Sequence, residues 1–172
     1  MTGQPRGPGG QREPAAAPGG LSHLDEAGHA RMVDVSGKDV TVREARATGR
    51  VLLSAAAVAA LRAGEVPKGD ALGVARIAGI QGAKRTPDLV PLCHPIALHS
   101  VRVDLAVADG GVEITAVVRT ADRTGVEMEA LTAVAVAALA LIDMVKAIDP
   151  AAVISNVRVE EKTGGKTGAW HR

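Results

Sequence analysis

The stretch Val126–Ile148 limits the fold more than any other part of the chain, because residues 130–142 are apolar at every position except Thr132. The pattern predicts one long helix, stopped by Asp149-Pro150 because the residue before a proline is pushed out of helical geometry. Thirteen residues are too few to cross a bilayer. A helix apolar on nearly every side therefore has to be buried all round, between a sheet and another helix or subunit. The chain has one Trp and no Phe or Tyr, so the surrounding core is built from Ala, Val, Leu and Ile. The same shortage removes the aromatic platforms on which single-stranded nucleic acid stacks.

A sheet for that helix is legible just upstream. Val101, Val103, Leu105 and Val107 alternate with more polar neighbours, as do Val112, Ile114, Ala116 and Val118, and Asp109-Gly110-Gly111 separates the two runs. This predicts a β-hairpin with one buried face. Further extended segments are expected at His29–Val35, at 41–53 (where composition also permits a helix) and at Val153–Val159. Ser54 caps a short helix ended by Gly64, and Asp70 caps a helix running to about Lys84. Gly73, Gly79 and Gly82 weaken that second helix, which implies close packing of another backbone against it. Pro87, Pro91 and Pro95 make 86–95 an ordered loop. The order of elements fits an α+β domain, an antiparallel sheet packed with helices in ferredoxin-like layering.

Residues 1–20 hold six of the 20 glycines and four of the nine prolines and have no apolar run, which predicts a disordered tail. They lack the apolar core of a signal peptide, so the expected location is the cytoplasm, with no membrane segment. The expected domain then covers 21–168, with a short polar end at 169–172. Net charge is +1, which argues against a nucleic-acid binder working through a broad positive field. The single Cys93 excludes an intrachain disulfide and a cysteine-rich zinc site, and no metal site is expected. Arg outnumbers Lys fourteen to six, yet Lys68, Lys84, Lys146, Lys162 and Lys166 all lie in polar, glycine-containing or acidic contexts.

Each candidate site has a plain reading beside a chemical one. Lys162-Thr-Gly-Gly-Lys-Thr-Gly168 evokes a phosphate loop, but it lacks the first glycine and no helix follows. It is either a solvated tail or a flexible basic segment closing over phosphates. Thr124 and Glu127 have capping-box spacing, whereas Glu129 points about 200° round the helix from Glu127. The two carboxylates therefore suit different partners. Asp143 and Lys146 share a helix face, as a surface ion pair or as a partly buried pair able to exchange protons. Cys93-His94 lies between fixed prolines, where His94 is either a satisfied loop histidine or a ligand contact. Lys68 is a turn lysine.

Taken together, several segments resemble one family. Met32-Val-Asp-Val, Lys68-Gly-Asp, Ala75-Arg-Ile-Ala-Gly-Ile-Gln81, Lys84-Arg-Thr and Pro91-Leu-Cys-His-Pro95 carry the likeness. So do Thr124-Gly-Val-Glu-Met-Glu-Ala-Leu-Thr132, Asp143-Met-Val-Lys146 and Gly164-Gly-Lys166, in the same order. The chain resembles the molybdenum cofactor biosynthesis protein C family, the cyclic pyranopterin monophosphate synthases, over about residues 21–168. The resemblance implies a homohexamer built as a trimer of dimers, with active sites at dimer interfaces. It implies a lyase that converts 3′,8-cyclo-7,8-dihydroguanosine triphosphate to cyclic pyranopterin monophosphate with loss of pyrophosphate. It also implies a functional link to an upstream radical-SAM GTP cyclase; it firmly implies no cofactor, Mg²⁺ with the triphosphate being the one candidate.

By the same resemblance Asp143 is the catalytic aspartate, and Lys68 and Lys146 are essential lysines. Leu92, Cys93, His94, Glu127 and Met128 match substrate-contacting positions. Glu129, Lys84, Lys162 and Lys166 match positions near the pocket, so five of six lysines are expected around one phosphate-handling site, with Lys68 a candidate for donation from the neighbouring subunit. One departure, Pro87 where members often carry Trp, bears on loop packing. Two other classes are weighed. A catalytically silent purine- or pterin-nucleotide-binding subunit would keep Lys84, Lys162 and Lys166 without needing the Asp143–Lys146 pair, and a purely structural oligomer would explain the apolar helix alone.

Overall fold

The computed structural model describes residues 24, 25 and 27–172. The expected disordered tail at 1–20 lies outside them. Two compact units divide at Val33/Asp34. In the first, the expected strand at His29–Val35 does not form. Leu24 and Ala30 make a single antiparallel bridge, and Asp25 takes the amide protons of Ala27 and His29 on its carboxylate.

In the second unit the chain runs β1 (Thr41–Leu52), α1 (Ala55–Ala63), α2 (Ala71–Lys84), α3 (Thr86–Leu89), β2 (Ser100–Ala108), β3 (Gly111–Asp122), α4 (Glu127–Val145), β4 (Val153–Thr163) and β5 (Trp170–His171). The sheet order is β2-β3-β1-β4-β5, antiparallel throughout. Two split β-α-β units, closed by α1–α3 and by α4, give the ferredoxin-like layering expected from the element order. The alternation read from the hairpin sets the register. Val103 faces Ala116, Leu105 faces Ile114 and Val107 faces Val112, all on the helix side.

Local chemistry explains the helix ends. The Ser54 hydroxyl accepts the Ala57 amide proton, and Gly64 ends α1. The Asp70 carboxylate accepts the Gly73 amide proton at 2.8 Å to start α2. Pro87 sits in the first turn of α3, where its missing N–H costs nothing. The expected loop at 86–95 therefore begins with one helical turn. In the short end at 169–172, Trp170 and His171 pair with Lys162 and Glu161 as β5.

α4 is held between the sheet and α2, with ten of its nineteen residues buried. By length and composition alone it would also reach across a bilayer. Burial inside the chain accounts for most of its apolar surface. The core is aliphatic, with Ile114, Leu141, Val51 and Val103 the largest fully buried side chains and alanines filling much of the rest. Small residues let the helices approach closely. A Cβ on Gly79 would lie 2.8 Å from the Ala133 carbonyl oxygen and 3.0 Å from the Ala137 Cβ. Of the three glycines in α2, Gly79 and Gly82 face α4, while Gly73 is crowded by its own cap, Asp70.

Candidate functional site

The chemistry-bearing side chains collect at the two ends of α4. At its C-terminal end, Asp143 accepts from Lys68 Nζ on Oδ2 and from Lys146 Nζ on Oδ1, each at 2.7 Å. Lys146 lies one turn on, at the helix cap, with its backbone N–H still donating to the Ile142 carbonyl. Lys68 arrives from the turn before α2, which runs antiparallel to α4. It belongs to the same chain as Asp143, so no neighbouring subunit is needed to supply it. The triad is open to solvent, with about half of each side chain exposed, which favours the surface reading of the Asp143–Lys146 pair in the single chain. The ammonium of Lys146, and after it that of Lys68, holds the Asp143 carboxyl down to about 2. The carboxylate is therefore ionised throughout the physiological range.

The N-terminal end is different. The expected capping box does not form: Val126 is the N-cap, with no side-chain hydrogen bond. Glu127 instead pairs with Lys162 Nζ from the end of β4 at 3.0 Å. A partner distant in sequence has replaced the local one. Glu129, two residues on, is only 3% exposed. Burial, and to a lesser extent the charge of Glu127, lift its carboxyl to about 7 against the pull of its own backbone amide. Glu127 and Glu129 thus have the separate environments expected from their angular offset. Burial pushes the half-buried Cys93 thiol upward, and the nearby Glu129 charge adds to the effect. His94 is half-buried in the same loop, and Leu92 and Met128 expose apolar surface. Lys84, at the end of α2, and Lys166, between β4 and β5, are exposed.

His99 is a structural histidine, its ring nitrogen Nδ1 accepting the Ala121 amide proton at 3.3 Å. Among the described residues no three His, Cys, Asp or Glu side chains converge to hold a metal ion.

The two ends do not meet within one chain. Sixteen residues separate Glu127 from Asp143, about 24 Å at 1.5 Å per residue. Lys68 and Lys146 lie at one end and Lys162 at the other. Two features were invisible in the sequence. One is a stripe along α4 that α2 and the sheet leave partly open, through Met128, Leu131, Ala135, Leu139 and Ile142, with Leu139 60% exposed. An all-apolar helix gives no contrast by which to pick it out. The other is Arg43 on β1, which reaches the turn after Lys162 and carries no motif of its own.

Comparison with known proteins decides the family, since residues 32–165 match the MoaC family model. The chain belongs to the MoaC family. It is similar to the cyclic pyranopterin monophosphate synthase of Streptomyces coelicolor, 70% identical over 152 residues covering 88% of this chain and 89% of that protein. It is 58% identical over 154 residues to cyclic pyranopterin monophosphate synthase 2 of Mycobacterium tuberculosis, covering 90% and 92% of the two chains. The enzyme of that name from Novosphingobium aromaticivorans is 55% identical over 150 residues, 87% and 96% of the two chains. The MoaC match contains the whole of α4, both of its polar ends, and Gly164 and Gly165 of the β4–β5 turn.

Proposed function

We propose that this MoaC-family protein is a cytoplasmic cyclic pyranopterin monophosphate synthase of molybdenum cofactor biosynthesis. It is a lyase that takes 3′,8-cyclo-7,8-dihydroguanosine triphosphate from an upstream radical-SAM GTP cyclase. The observation that carries this reading is the pair of lysines on one ionised carboxylate, Lys68 and Lys146 on Asp143. An internal hydroxyl of the substrate attacks the α-phosphorus, the new P–O bond forms as the bond to pyrophosphate breaks, and the hydroxyl proton passes to a base. Because the attacking group belongs to the same molecule, positioning supplies much of the rate. Asp143 stays ionised and fixes both ammonium groups, so Lys146, with Lys68, moves protons during opening of the purine-derived ring and closure of the pterin ring.

Lys162, Lys166 and Lys84 stabilise the phosphate charge that develops on the leaving group. Leu92, Cys93, His94, Glu127, Met128 and Glu129 contact the rest of the substrate. Any Mg²⁺ arrives bound to the triphosphate.

The site is shared between two copies in each dimer of a homohexamer, a trimer of dimers. Met128 and Asp143 lie on the same open stripe of α4, whose midpoint falls between Ala135 and Val136. A two-fold axis there sets the Glu127 end of one copy beside the Asp143 end of the other and makes two equivalent sites.

The test is turnover of the cyclic triphosphate to pyrophosphate and pterin product. Lys146→Ala should lose at least about a hundredfold in kcat while remaining folded and assembled. Near-wild-type turnover would remove the proton-transfer role. Mixing inactive Lys146→Ala with an inactive Glu127→Ala variant should restore about a quarter of wild-type activity, because half the dimers are mixed and each has one intact site of two. No recovery after subunit exchange would refute the shared site.

A further inference from the structure

The turn that carries the basic segment lies against one arginine of β1. Arg43 stands near the start of β1, on the sheet face that carries α4. Its Nε donates to the Asp122 carbonyl at the end of β3, at 2.8 Å. The rest of the guanidinium lies against the backbone of the β4–β5 turn, so that a Cβ added to Gly165 would strike Nη1. Its neighbour Gly164 lies against the Val42 carbonyl oxygen in the same way. Both glycines have left-handed backbone, with φ of 86° and 75°. This turn therefore requires glycine twice over, for conformation and for closeness to β1.

Arg43, Gly125, Glu127, Lys162 and Gly164 line one narrow crevice. Inside it Lys162 is already fixed by Glu127, whereas Lys166, four residues on, is exposed with the turn as its support.

We infer that Arg43 is a positioning residue, which clamps the Gly164–Gly165 turn so that Lys162 and Lys166 face the phosphate end of the substrate. This rests on the function proposed above. The clamp needs arginine because a planar fork can bond Asp122 with one nitrogen while lying flat against the turn with the others. An ammonium offers a single point charge and cannot do both. The clamp acts on binding, since it orders the turn before substrate arrives and touches no reacting atom.

Hydrogen exchange and steady-state kinetics on the full-length assembled protein test it together. Arg43→Ala should raise amide exchange at 164–168 about tenfold or more while α4 and the central strands keep their protection. It should also raise KM for the cyclic triphosphate about tenfold, with kcat within about threefold of wild type. Arg43→Lys should not restore either quantity, and Gly165→Ala should shift both in the same direction by pushing the turn off the guanidinium. Unchanged exchange at 164–168 in folded, assembled Arg43→Ala overturns the clamp. Loosened exchange with unchanged KM overturns the link to phosphate binding. If wild type fails to turn over the triphosphate, the proposed function falls, and exchange alone still decides the clamp.

Discussion

Replacing Glu129 by Gln should change how stability depends on pH more than it changes stability at any one pH. The carboxyl is 3% exposed in the first turn of α4, and its folded-state pKa stands at about 7 against an ordinary 4.5. Between those values the folded chain keeps a proton that the unfolded chain has released, so each rise in pH across the window favours unfolding. The gap of about 2.5 pH units, at about 1.36 kcal/mol each, makes the cost of ionising Glu129 about 3 kcal/mol once the pH is above 7. Below pH 4.5 both states hold the proton and the cost vanishes. A glutamine side chain keeps the shape of the neutral acid and cannot titrate, so the Glu129→Gln variant should lack this slope. Other carboxylates cancel when wild type and variant are compared at the same pH and protein concentration.

The assay is thermal unfolding followed by circular dichroism from pH 4.5 to 8.5. The variant should gain on wild type by about 3 kcal/mol across that range, or about 6–12 °C in Tm for a chain of this size. A difference that stays constant within about 1 kcal/mol from pH 4.5 to 8.5 would show that Glu129 does not hold a proton at neutral pH in the folded protein.

Three further outcomes follow from the packing and from the basic turn. Gly79→Ala should destabilise by about 1 kcal/mol net, since overpacking against Ala133 and Ala137 outweighs the gain in helix propensity, and Tm should fall by a few degrees. Leu139→Glu, at a residue 60% exposed, should cost the isolated chain under about 0.5 kcal/mol yet reduce the assembled mass in light scattering and abolish turnover. An assembled, active Leu139→Glu protein would exclude α4 as the shared face. Double replacement of Lys162 and Lys166 by Gln should raise KM for the triphosphate about tenfold or more, and unchanged affinity would return both lysines to a solvated role.

What could be read in advance was whatever depended on near neighbours. The hairpin showed through strict alternation, and Ser54 and Asp70 were visible as caps because capping is settled within three residues. The Asp143–Lys146 pair was visible for the same reason, being one helical turn apart. Chain reversal hid the rest. Lys68 reaches Asp143 across 75 positions, and nothing local marks it. Glu127 had the spacing of a capping residue, but Lys162, 35 positions on, competes for its carboxylate. His29–Val35 had the composition of a strand, but among the described residues it makes only the single bridge from Ala30 to Leu24. β5 is two residues long, too short for any periodicity. That the site falls at two ends of one helix was illegible, since motif order along a chain does not encode which ends face each other.

The scarcity of aromatic side chains has a practical consequence. All indole fluorescence comes from Trp170, and no tyrosine contributes to it. That ring is not in the core. It is 43% exposed on β5, paired across the strands with Lys162 and with the Arg172 guanidinium 5.8 Å from its centroid. Its emission is therefore an optical reporter on the basic turn that needs no label. Unfolding of the aliphatic core leaves no direct aromatic signature, whereas anything that moves Lys162 or the glycines after it changes the surroundings of the chain's one fluorophore.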